Sequence, residues 1–242
     1  MTIRFLGDPQ LTANMSDFAH ALVRLAILAC LPAAACHVSA ASTMPGGSKA
    51  EALECRGNHV AATDVNGDGR ADIQDVERNG RRFCMKADMN FDGNVDIERF
   101  YEGDGEQVAQ ERQDFDFDGR LDQLSFYQGG QLVRKELDTN FDNEIDTWLW
   151  CENGWVVRSE RDRQRDGKVD VWEAYDQGLI TKAEYDDNDD GRVDKWDTFR
   201  DGKLVLTQYD DNGDGEPDRS RDMPPQSRGP ADDALRCEKG QP

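Results

Sequence analysis

The feature that most constrains this chain is an acidic nine-residue segment that occurs seven times at nearly constant spacing. Successive copies begin 24 residues apart, except that the third begins 26 residues after the second. The copies begin at Asp64, Asp88, Asp114, Asp138, Asp162, Asp186 and Asp210. A fixed period of this length is typical of a repeat array, in which each unit contacts mainly its neighbours. Residues 64–221 are therefore predicted to form a seven-unit repeat domain.

The nine-residue segments carry oxygen-bearing side chains at the same four places. In order they read DVNGDGRAD, DMNFDGNVD, DFDFDGRLD, DTNFDNEID, DRQRDGKVD, DDNDDGRVD and DDNGDGEPD. Positions 1, 3, 5 and 9 are Asp, Asn or, at Gln164, Gln, and position 6 is Gly except at Asn143. A single acidic loop of this kind is usually a solvated turn. A turn does not need oxygen ligands at four fixed positions in seven copies, so the pattern indicates a bound cation.

Calcium is the cation that suits these loops. It takes six to eight oxygen ligands, and a tight loop supplies them from alternating side chains and a backbone carbonyl at position 7, with glycine at position 6 for the sharp bend. Magnesium fits less well because it demands octahedral geometry and loses water reluctantly. Several calcium ions per chain are expected.

The predicted ligands follow from the positions in each loop. The side-chain ligands are Asp64, Asn66, Asp68, Asp72, Asp88, Asn90, Asp92, Asp96, Asp114, Asp116, Asp118, Asp122, Asp138, Asn140, Asp142, Asp146, Asp162, Gln164, Asp166, Asp170, Asp186, Asn188, Asp190, Asp194, Asp210, Asn212, Asp214 and Asp218. The carbonyl ligands are Arg70, Asn94, Arg120, Glu144, Lys168, Arg192 and Glu216. The fifth loop should be the weakest site, since Gln164 is neutral and Arg165 follows it.

The loops resemble those of EF-hands, dockerins, thrombospondin type 3 repeats and the calcium hairpins of integrin-like FG-GAP blades. The resemblance covers the nine-residue loops and not the whole unit. An EF-hand also has a bidentate glutamate at position 12 and a helix on each side. Position 12 here reads Asp75, Arg99, Ser125, Leu149, Glu173, Asp197 and Arg221. The resemblance thus implies calcium loops without helix-loop-helix units.

The segments between the loops have the pattern of β-hairpins. Residues 195–209 read KWDTFRDGKLVLTQY, which is two alternating segments around Asp201 and Gly202. Equivalent turns are Asn79–Gly80, Gly129–Gly130, Asn153–Gly154 and Gln177–Gly178, while the second unit has EGDGE. The flanks are rich in aromatic and β-branched residues and show no helical stripe. The prediction is an all-β fold, an antiparallel meander of 24-residue β-hairpin repeats linked by calcium-binding loops, elongated or curled, with turns on one edge and loops on the other.

Two files of aromatic residues recur along the repeats. Trp148, Trp172 and Trp196 hold one equivalent position in three successive units. A repeated aromatic on a strand is more often buried, so a buried face is predicted, with a ladder that stacks on polysaccharide as the alternative. The second file comprises Tyr101, Tyr127, Tyr175 and Phe199, with Cys151 in the same position of the fourth unit.

The N-terminal region has the features of an export signal. Residues 22–35 read LVRLAILACLPAAA, an apolar run too short to span a bilayer. The sequence AAAC ending at Cys36 resembles a bacterial lipobox, which implies a signal over 1–36, lipidation at Cys36 and a lipoprotein of the outer membrane or cell surface. Membrane contact would then be through the lipid anchor only. The alternative is cleavage after Ala40, which releases a periplasmic or secreted protein.

Either cleavage removes Cys30 and leaves four cysteines downstream, namely Cys55, Cys84, Cys151 and Cys237. An even number in an oxidising compartment favours disulfides. A Cys151–Cys237 bond would pin the irregular tail of 222–242 to the sheet, and a Cys55–Cys84 bond would close the first unit against the tether and cap of 37–63. Other pairings remain open at this point.

Charge and composition narrow the classes of function. The chain has 50 acidic and 29 basic side chains and a formal net charge of −21, which argues against a nucleic-acid partner. Beyond residue 37 it has one histidine, His59, so it lacks a zinc-binding histidine pair. No Ser-His or Cys-His motif is visible in the sequence. We expect no catalytic or cofactor-binding residues, and a calcium-rigidified binding or structural scaffold of the cell envelope or surface. The partner would be a surface protein or polysaccharide, and the alternatives are a polysaccharide-recognition or accessory subunit and a calcium-stabilised enzyme.

Overall fold

The structure, a computed structural model, describes residues 53–224 and 234–240. The predicted signal, Cys36 and most of the tether lie outside this range. The described residues form fourteen β-strands and no helix. The strands are β1 (His59–Thr63), β2 (Ile73–Arg78), β3 (Arg81–Ala87), β4 (Ile97–Tyr101), β5 (Val108–Gln113), β6 (Gln123–Gln128), β7 (Gln131–Leu137), β8 (Thr147–Glu152), β9 (Trp155–Arg161), β10 (Val171–Asp176), β11 (Leu179–Tyr185), β12 (Lys195–Arg200), β13 (Lys203–Tyr209) and β14 (Arg219–Asp222).

All fourteen strands belong to one antiparallel sheet in which the spatial order equals the sequence order. Each strand pairs with its predecessor and its successor, and the sheet does not close, so β1 and β14 are its edges. The predicted all-β meander is confirmed. Within the described range, no helix is present that is long and apolar enough to cross a membrane.

Five of the six hairpins turn through two residues that both have positive φ. Asn79 and Gly80, for example, have φ of 56° and 73°. This is the type I′ geometry, whose twist matches that of the flanking strands, and it explains the preference for Asn, Asp and Gly at these places. The second unit uses a longer turn, closed by a hydrogen bond of 2.7 Å from the Glu102 N–H to the Gln107 carbonyl.

Every hairpin also contains a β-bulge in its second strand, which the sequence did not predict. In the fourth unit Trp150 pairs with Arg158 and Cys151 with Val156, so Val157 has no partner on β8. The equivalent extra residues are Phe83, Ala109, Val133, Thr181 and Val205. A bulge bends its strand and increases the local twist. Each unit therefore adds the same local distortion at the same place.

The strand register defines the two faces of the sheet. The face that carries Trp148, Trp172 and Trp196 is called the tryptophan face here, and the opposite one the polar face. One row across the tryptophan face comprises Gln74, Lys86, Glu98, Arg112, Leu124, Glu136, Trp148, Glu160, Trp172, Glu184, Trp196 and Gln208.

The three tryptophans are half-buried, so the prediction of a buried face is wrong for them. The physical reason is that the described strands form a single sheet with no second layer of strands over these rings. Each indole lies between long polar side chains on the neighbouring strands, Glu or, for Trp196 on one side, Gln208, and keeps part of its surface open.

The polar face buries short polar side chains, of which Ser159 and Thr207 are hydrogen-bonded and Ser125 Oγ has no hydrogen-bond partner. Ser125, Ser159 and Thr207 are at most 2% exposed. The Thr207 hydroxyl donates to the Asp197 carboxylate over 2.6 Å, and the Lys195 ammonium lies 2.9 Å from the same group. Hydrogen bonds of this kind offset the cost of burying a polar group. Short side chains here are covered by their longer paired neighbours.

Both predicted disulfides are present, and each belongs to a small apolar cluster. Cys55 and Cys84 pack with Val76 and Phe100 near the N-terminal end of the sheet. The Cys151–Cys237 bond lies in the middle of the sheet. Its cluster contains Leu132, Val156, Tyr127, Leu149 and Tyr175. Cys151 is 5% exposed, which confirms that this cysteine of the second aromatic file faces inward.

The described part of the C-terminal tail, residues 234–240, follows the turn edge of the sheet. The Leu235 N–H donates to the Gly178 carbonyl over 2.8 Å, and the Gly240 N–H to the Gly130 carbonyl over 3.0 Å. A Cβ atom at Gly178 would lie 2.4 Å from the Leu235 carbonyl oxygen, so this turn needs glycine for the tail to approach. The disulfide and these bonds fix the described part of the tail across three hairpins.

Candidate metal sites on the loop edge

The seven acidic loops share one backbone conformation with two residues in the left-handed region. Position 6 is one of them, and there Asn143 has φ of 76° where the other loops have glycine. Position 4 is the other, and it includes Phe91, Phe117 and Phe141 with φ between 61° and 65°. Positive φ is unfavourable for a bulky side chain. The sequence offered only a weak signal for position 4, because glycine occupies it in just the first and last loops.

The aspartate at position 1 binds the loop backbone through both carboxylate oxygens. In the third loop, the Phe117 N–H donates to Asp114 Oδ1 over 2.7 Å and the Gly119 N–H donates to Oδ2 over 2.8 Å. The bond from the position 6 N–H occurs in all seven loops. These bonds hold the left-handed residues in place and aim the carboxylate into the loop.

The aspartate at position 9 closes the loop from the other side. In the third loop, Asp122 Oδ2 accepts the Phe115 N–H over 2.6 Å, and the Asp122 N–H donates to the Gln113 carbonyl over 2.9 Å. The side chain at position 5 accepts the N–H of position 7 in all seven loops, as Asp118 does. The side chain at position 3 accepts the N–H of position 5, as Asp116 does, in every loop except the fifth, where the Asp166 N–H donates to Asp162 and not to Gln164. The four predicted side-chain ligands therefore all point into one short loop.

Consecutive loops are joined by a backbone hydrogen bond. The N–H of the position 1 aspartate donates to the carbonyl of the preceding position 9 aspartate at 2.8–2.9 Å. The pairs are Asp88 with Asp72, Asp114 with Asp96, Asp138 with Asp122, Asp162 with Asp146, Asp186 with Asp170 and Asp210 with Asp194. At the two ends, Asp64 and Asp218 lack such a neighbour and are exposed, whereas most of the internal aspartates at positions 1 and 9 are buried.

The third loop is the one that has an aspartate at all four side-chain ligand positions, and three of these carboxylates converge. Oxygen atoms of Asp114, Asp116 and Asp122 lie within 4.8 Å of one another. Desolvation, together with repulsion by Asp118, Asp122 and Asp114, raises the pKa of Asp116. A cation in this loop would relieve that repulsion.

Two position 9 carboxylates have an oxygen that is buried and has no hydrogen-bond partner. These atoms are Asp96 Oδ1 and Asp170 Oδ1. The Asp96 Oδ2 atom accepts the Met89 N–H over 2.6 Å, so only half of this carboxylate is satisfied. A buried anionic oxygen without a donor is costly. Asp96 Oδ1 is thus an acceptor available to a cation in the second loop.

The fifth loop is neutralised by its own basic side chains. The Lys168 ammonium lies 3.0 Å from the Asp166 carboxylate and 3.2 Å from Asp189 in the next loop. Hydrogen bonding by Lys168 lowers the pKa of Asp166. Arg163 Nε lies 3.7 Å from Asp170 Oδ1, too long for a hydrogen bond, and its Nη2 contacts Asp187 at 2.7 Å. These contacts agree with the prediction, made from the neutral Gln164, that the fifth loop is the weakest calcium site.

The fourth loop satisfies its carboxylates with neutral donors. The hydroxyl groups of Thr139 and Thr147 donate to Asp146 Oδ1 over 2.9 Å and 2.6 Å. The Asn140 amide donates to Asp142 over 2.7 Å and lowers the pKa of that carboxyl. The loop that has Asn143 in place of glycine is therefore also the loop in which hydroxyl groups donate to position 9.

The sixth and seventh loops use asparagine for the same purpose. Asn188 Nδ2 donates to Asp194 Oδ1 over 2.7 Å, and Asn212 Nδ2 donates to Asp218 Oδ1 over 3.0 Å. Burial alone would raise the pKa of Asp210, but the N–H groups of Gly215 and Gly213 outweigh it and lower that pKa. In the first and second loops the equivalent amide donates to position 5 instead.

Basic residues at position 7 have a role that the sequence reasoning missed. They were assigned as carbonyl ligands only, yet their side chains reach the next loop. Arg192 Nη1 donates to the Gly213 carbonyl over 2.7 Å, and Lys168 contacts Asp189. The available signal was that position 7 is Arg or Lys in four of the seven loops.

Comparison with known proteins gives little further information. Neither a protein-family model nor a curated protein sequence matches the chain. A solved structure described as "accessory secretory protein 1,2 and 3 in Streptococcus pneumoniae" is similar over 46% of this chain, with 16% identity and a TM-score of 0.30. The match spans 23% of that protein's chain.

Proposed function

We propose that this protein is an exported, non-enzymatic calcium-binding repeat protein whose loop edge holds a row of calcium ions. The observation that carries the proposal is the convergence of the Asp114, Asp116 and Asp122 oxygens within 4.8 Å. Three carboxylates at this distance repel one another, and a hard cation with oxygen ligands suits them. Calcium, when bound, would supply the positive charge that such a loop lacks.

The side chains of each loop, and their hydrogen-bond partners, determine how well each of the seven proposed sites suits calcium. The second and third loops fit calcium best, since one has the unpartnered Asp96 Oδ1 and the other has four aspartates and no amide. The first, sixth and seventh loops also have three aspartates and an asparagine. The fourth fits less well because Thr139 and Thr147 already donate to Asp146. In the fifth, Lys168 neutralises Asp166, and Arg163 lies 3.7 Å from Asp170 Oδ1, so two basic side chains oppose a cation there even though that oxygen accepts no hydrogen bond.

The hydrogen bonds between loops would couple neighbouring sites. Asp114 N–H and the Asp96 carbonyl join the third loop to the second at 2.8 Å. Both residues also supply predicted ligands, so ordering of one loop positions a ligand of the next. In a repeat array, stability is a sum of unit and interface terms, and ligand binding to one unit then favours binding to its neighbour.

The two disulfides are those of a protein that folds in an oxidising compartment. The more specific proposal is attachment to the outer membrane or cell surface through a lipid on Cys36, by the lipobox logic above. Mass spectrometry of the mature N-terminus tests it. A lipidated Cys36 is the expected result, and an unmodified chain that begins at Ala41 would exclude the anchor.

Calorimetric titration of the chelator-treated protein with calcium tests the metal sites. We expect several ions per chain, with the second and third loops filled first, and little heat from magnesium at the same concentrations. The variants Asp96→Asn and Asp122→Asn should each remove one of the strongest sites. Absence of calcium binding, or unchanged binding in both variants, would overturn the proposal.

A further inference from the structure

The tryptophan face has a regular pattern that the calcium proposal does not use. Trp148, Trp172 and Trp196 lie on β8, β10 and β12, and one strand separates each from the next. Strands in a sheet are spaced about 4.8 Å apart, so neighbouring indoles are separated by ~9.5 Å and the outer two by ~19 Å. All three rings are half-buried, which fixes one part of each ring against the sheet and leaves another part accessible.

The strands between the tryptophans carry ion pairs. Arg158 pairs with Glu160 on β9, and Lys182 pairs with Glu184 over 2.6 Å on β11. Glu160 lies directly between Trp148 and Trp172 in the row. Each pair offers hydrogen-bond donors and acceptors beside an aromatic ring but adds no net charge. Along the row, aromatic rings therefore alternate with ion pairs that have no net charge.

An open groove lies at the middle platform. Its lining includes Arg158, Trp172, Ala174, Lys182 and Glu184. No residue of the N-terminal segment 53–58 or of the described tail 234–240 lines it.

The groove exists because of one small residue. Ala174 lies between Arg158 and Lys182 in its row. The equivalent place one hairpin earlier holds Trp150, whose ring lies 4.6 Å from the Arg158 guanidinium. Replacement of a large ring by a methyl group opens space beside Trp172.

We propose that this surface binds an uncharged, linear β-linked polysaccharide along the row of tryptophans. The apolar face of a sugar ring stacks on an indole, and sugar hydroxyls take hydrogen bonds from neighbouring charged groups. An extended glycan turns alternate rings over, so the same ring face recurs at every second sugar, a repeat comparable with the tryptophan spacing. A periodic surface of this kind suits a periodic ligand. The net charge of −21 repels acidic polymers, which excludes acidic glycans from the proposal.

The test is titration of the purified protein with cello- and chito-oligosaccharides of two to six sugars, followed by tryptophan fluorescence and calorimetry. Three platforms at this spacing engage about five sugars, so affinity should rise steeply with length and level off at five to six. Trp172→Ala should weaken binding about tenfold or more, and Trp148→Ala or Trp196→Ala less. Trp172→Phe keeps an aromatic ring and should bind with intermediate affinity.

Two further variants keep the result interpretable if Trp172→Ala does not fold. Ala174→Leu fills the groove without removing a tryptophan, and it should weaken binding while the fold is retained. Trp155→Phe is the matched control, because Trp155 lies at the turn edge under the Arg236 guanidinium at 4.1 Å, and binding should not change.

The proposal rests on the strand register and not on the metal sites. It is overturned if neither glycan series nor insoluble cellulose and chitin bind, or if Trp172→Ala and Ala174→Leu bind like the unchanged protein. Binding of a protein to this face with no affinity for glycan would also overturn it. Calcium titration is measured separately, so failure of either proposal leaves the other intact.

Discussion

At the scale of single residues, the position 9 aspartates determine how each loop balances its charge. Asp96 has one carboxylate oxygen without a donor, Asp146 takes two threonine hydroxyls, and Asp170 faces an arginine. In some loops the position 9 carboxylate therefore lacks a donor and needs a cation, whereas in others hydroxyl groups or a basic side chain of the protein already contact it. Loops with equal motifs should therefore differ in calcium affinity.

Asp122→Asn should lower the calcium-linked stability more than Asp166→Asn. The first change removes a charge from the loop in which three carboxylates converge, whereas Asp166 already pairs with Lys168 at 3.0 Å. At calcium ten times the dissociation constant, loss of one site removes about 1.4 kcal/mol of stabilisation. Thermal unfolding with calcium and with chelator measures both variants. Equal losses would contradict the ranking of the loops.

Lys168→Gln should create a calcium site in the fifth loop. Removal of the ammonium leaves Asp166 and Asp189 without their partner, and the loop regains the negative charge that attracts a cation. Calorimetry should show one additional ion per chain. Lys203→Gln removes the same charge next to the turn at Gly202 and serves as the control. An unchanged number of ions in Lys168→Gln would show that the loop conformation, and not its charge, limits binding.

Stability at alkaline pH should depend on buried tyrosines of the polar face. Burial raises the pKa of Tyr175 to about 12, and its hydroxyl donates to Glu173 over 2.8 Å. As the pH rises, the unfolded chain loses this proton near pH 10, before the folded protein does. The contribution of Tyr175 to the free energy of unfolding is therefore constant below pH 10 and falls between pH 10 and 12. Tyr175→Phe should reduce this slope, as measured by denaturant unfolding at pH 8 to 11.5. An identical slope in the variant would place the alkaline sensitivity elsewhere.

At the scale of elements, each unit is a hairpin plus a loop, and the turn chemistry explains both connections. Type I′ dipeptides such as Asn153–Gly154 join the strands at one edge, and left-handed residues shape the loops at the other. The loop conformation depends on backbone freedom at position 6. This dependence can be tested without altering a ligand.

Gly119→Ala should destabilise the protein by about 1–2 kcal/mol, because its φ of 88° is unfavourable for any residue with a Cβ atom. The added methyl group itself meets no atom within 4 Å. Gly103→Ala is the matched control, since Gly103 has no neighbour within 4 Å and no positive φ. Denaturant unfolding should separate the two variants. Equal stability would mean that the loop tolerates another backbone conformation.

The features that could be predicted from the sequence are those that require particular residue types at particular positions. Asn-Gly turns, the nine-residue loops and the inward-facing Cys151 follow from φ preferences, ligand spacing and the phase of the repeat. The bulge at Val157 was not predictable in this way, because any residue can occupy it. Burial of the tryptophans was wrong because repetition alone does not reveal whether a second layer covers a face. The neutralisation of Asp166 depends on the reach of Lys168, which spacing does not encode.

At the scale of the whole molecule, the open sheet has no single core. Its apolar clusters are two small groups around the disulfides, and the formal charge of the chain is −21. Calcium in the six loops other than the fifth would reduce that charge to −9, and calcium in all seven would reduce it to −7. Self-repulsion of a highly charged chain favours expansion. Calcium should therefore control the dimensions of the array as well as the order of individual loops.

Chelation should increase the radius of gyration and expose backbone amides first in the second and third loops, where repulsion is least compensated. The first measurement is small-angle scattering with and without chelator, and the second is hydrogen exchange. The disulfides should limit the expansion, so reduction together with chelation should give a larger effect than chelation alone. An unchanged radius after calcium removal would show that strand pairing maintains the array by itself.

The positions of the two disulfides also determine how the array would respond to a pulling force. Tension applied before Cys55 and after Cys237 passes through the Cys55–Cys84 bond into β3 and leaves β8 through the Cys151–Cys237 bond. Strands β9 to β14 lie inside the closed covalent loop between Cys151 and Cys237, so they carry no load. The applied force is therefore borne by the segment from β3 to β8, which contains the second, third and fourth loops. Strands β1 and β2 are shielded in the same way by the Cys55–Cys84 bond, so eight strands can remain folded while the six strands β3 to β8 are stretched.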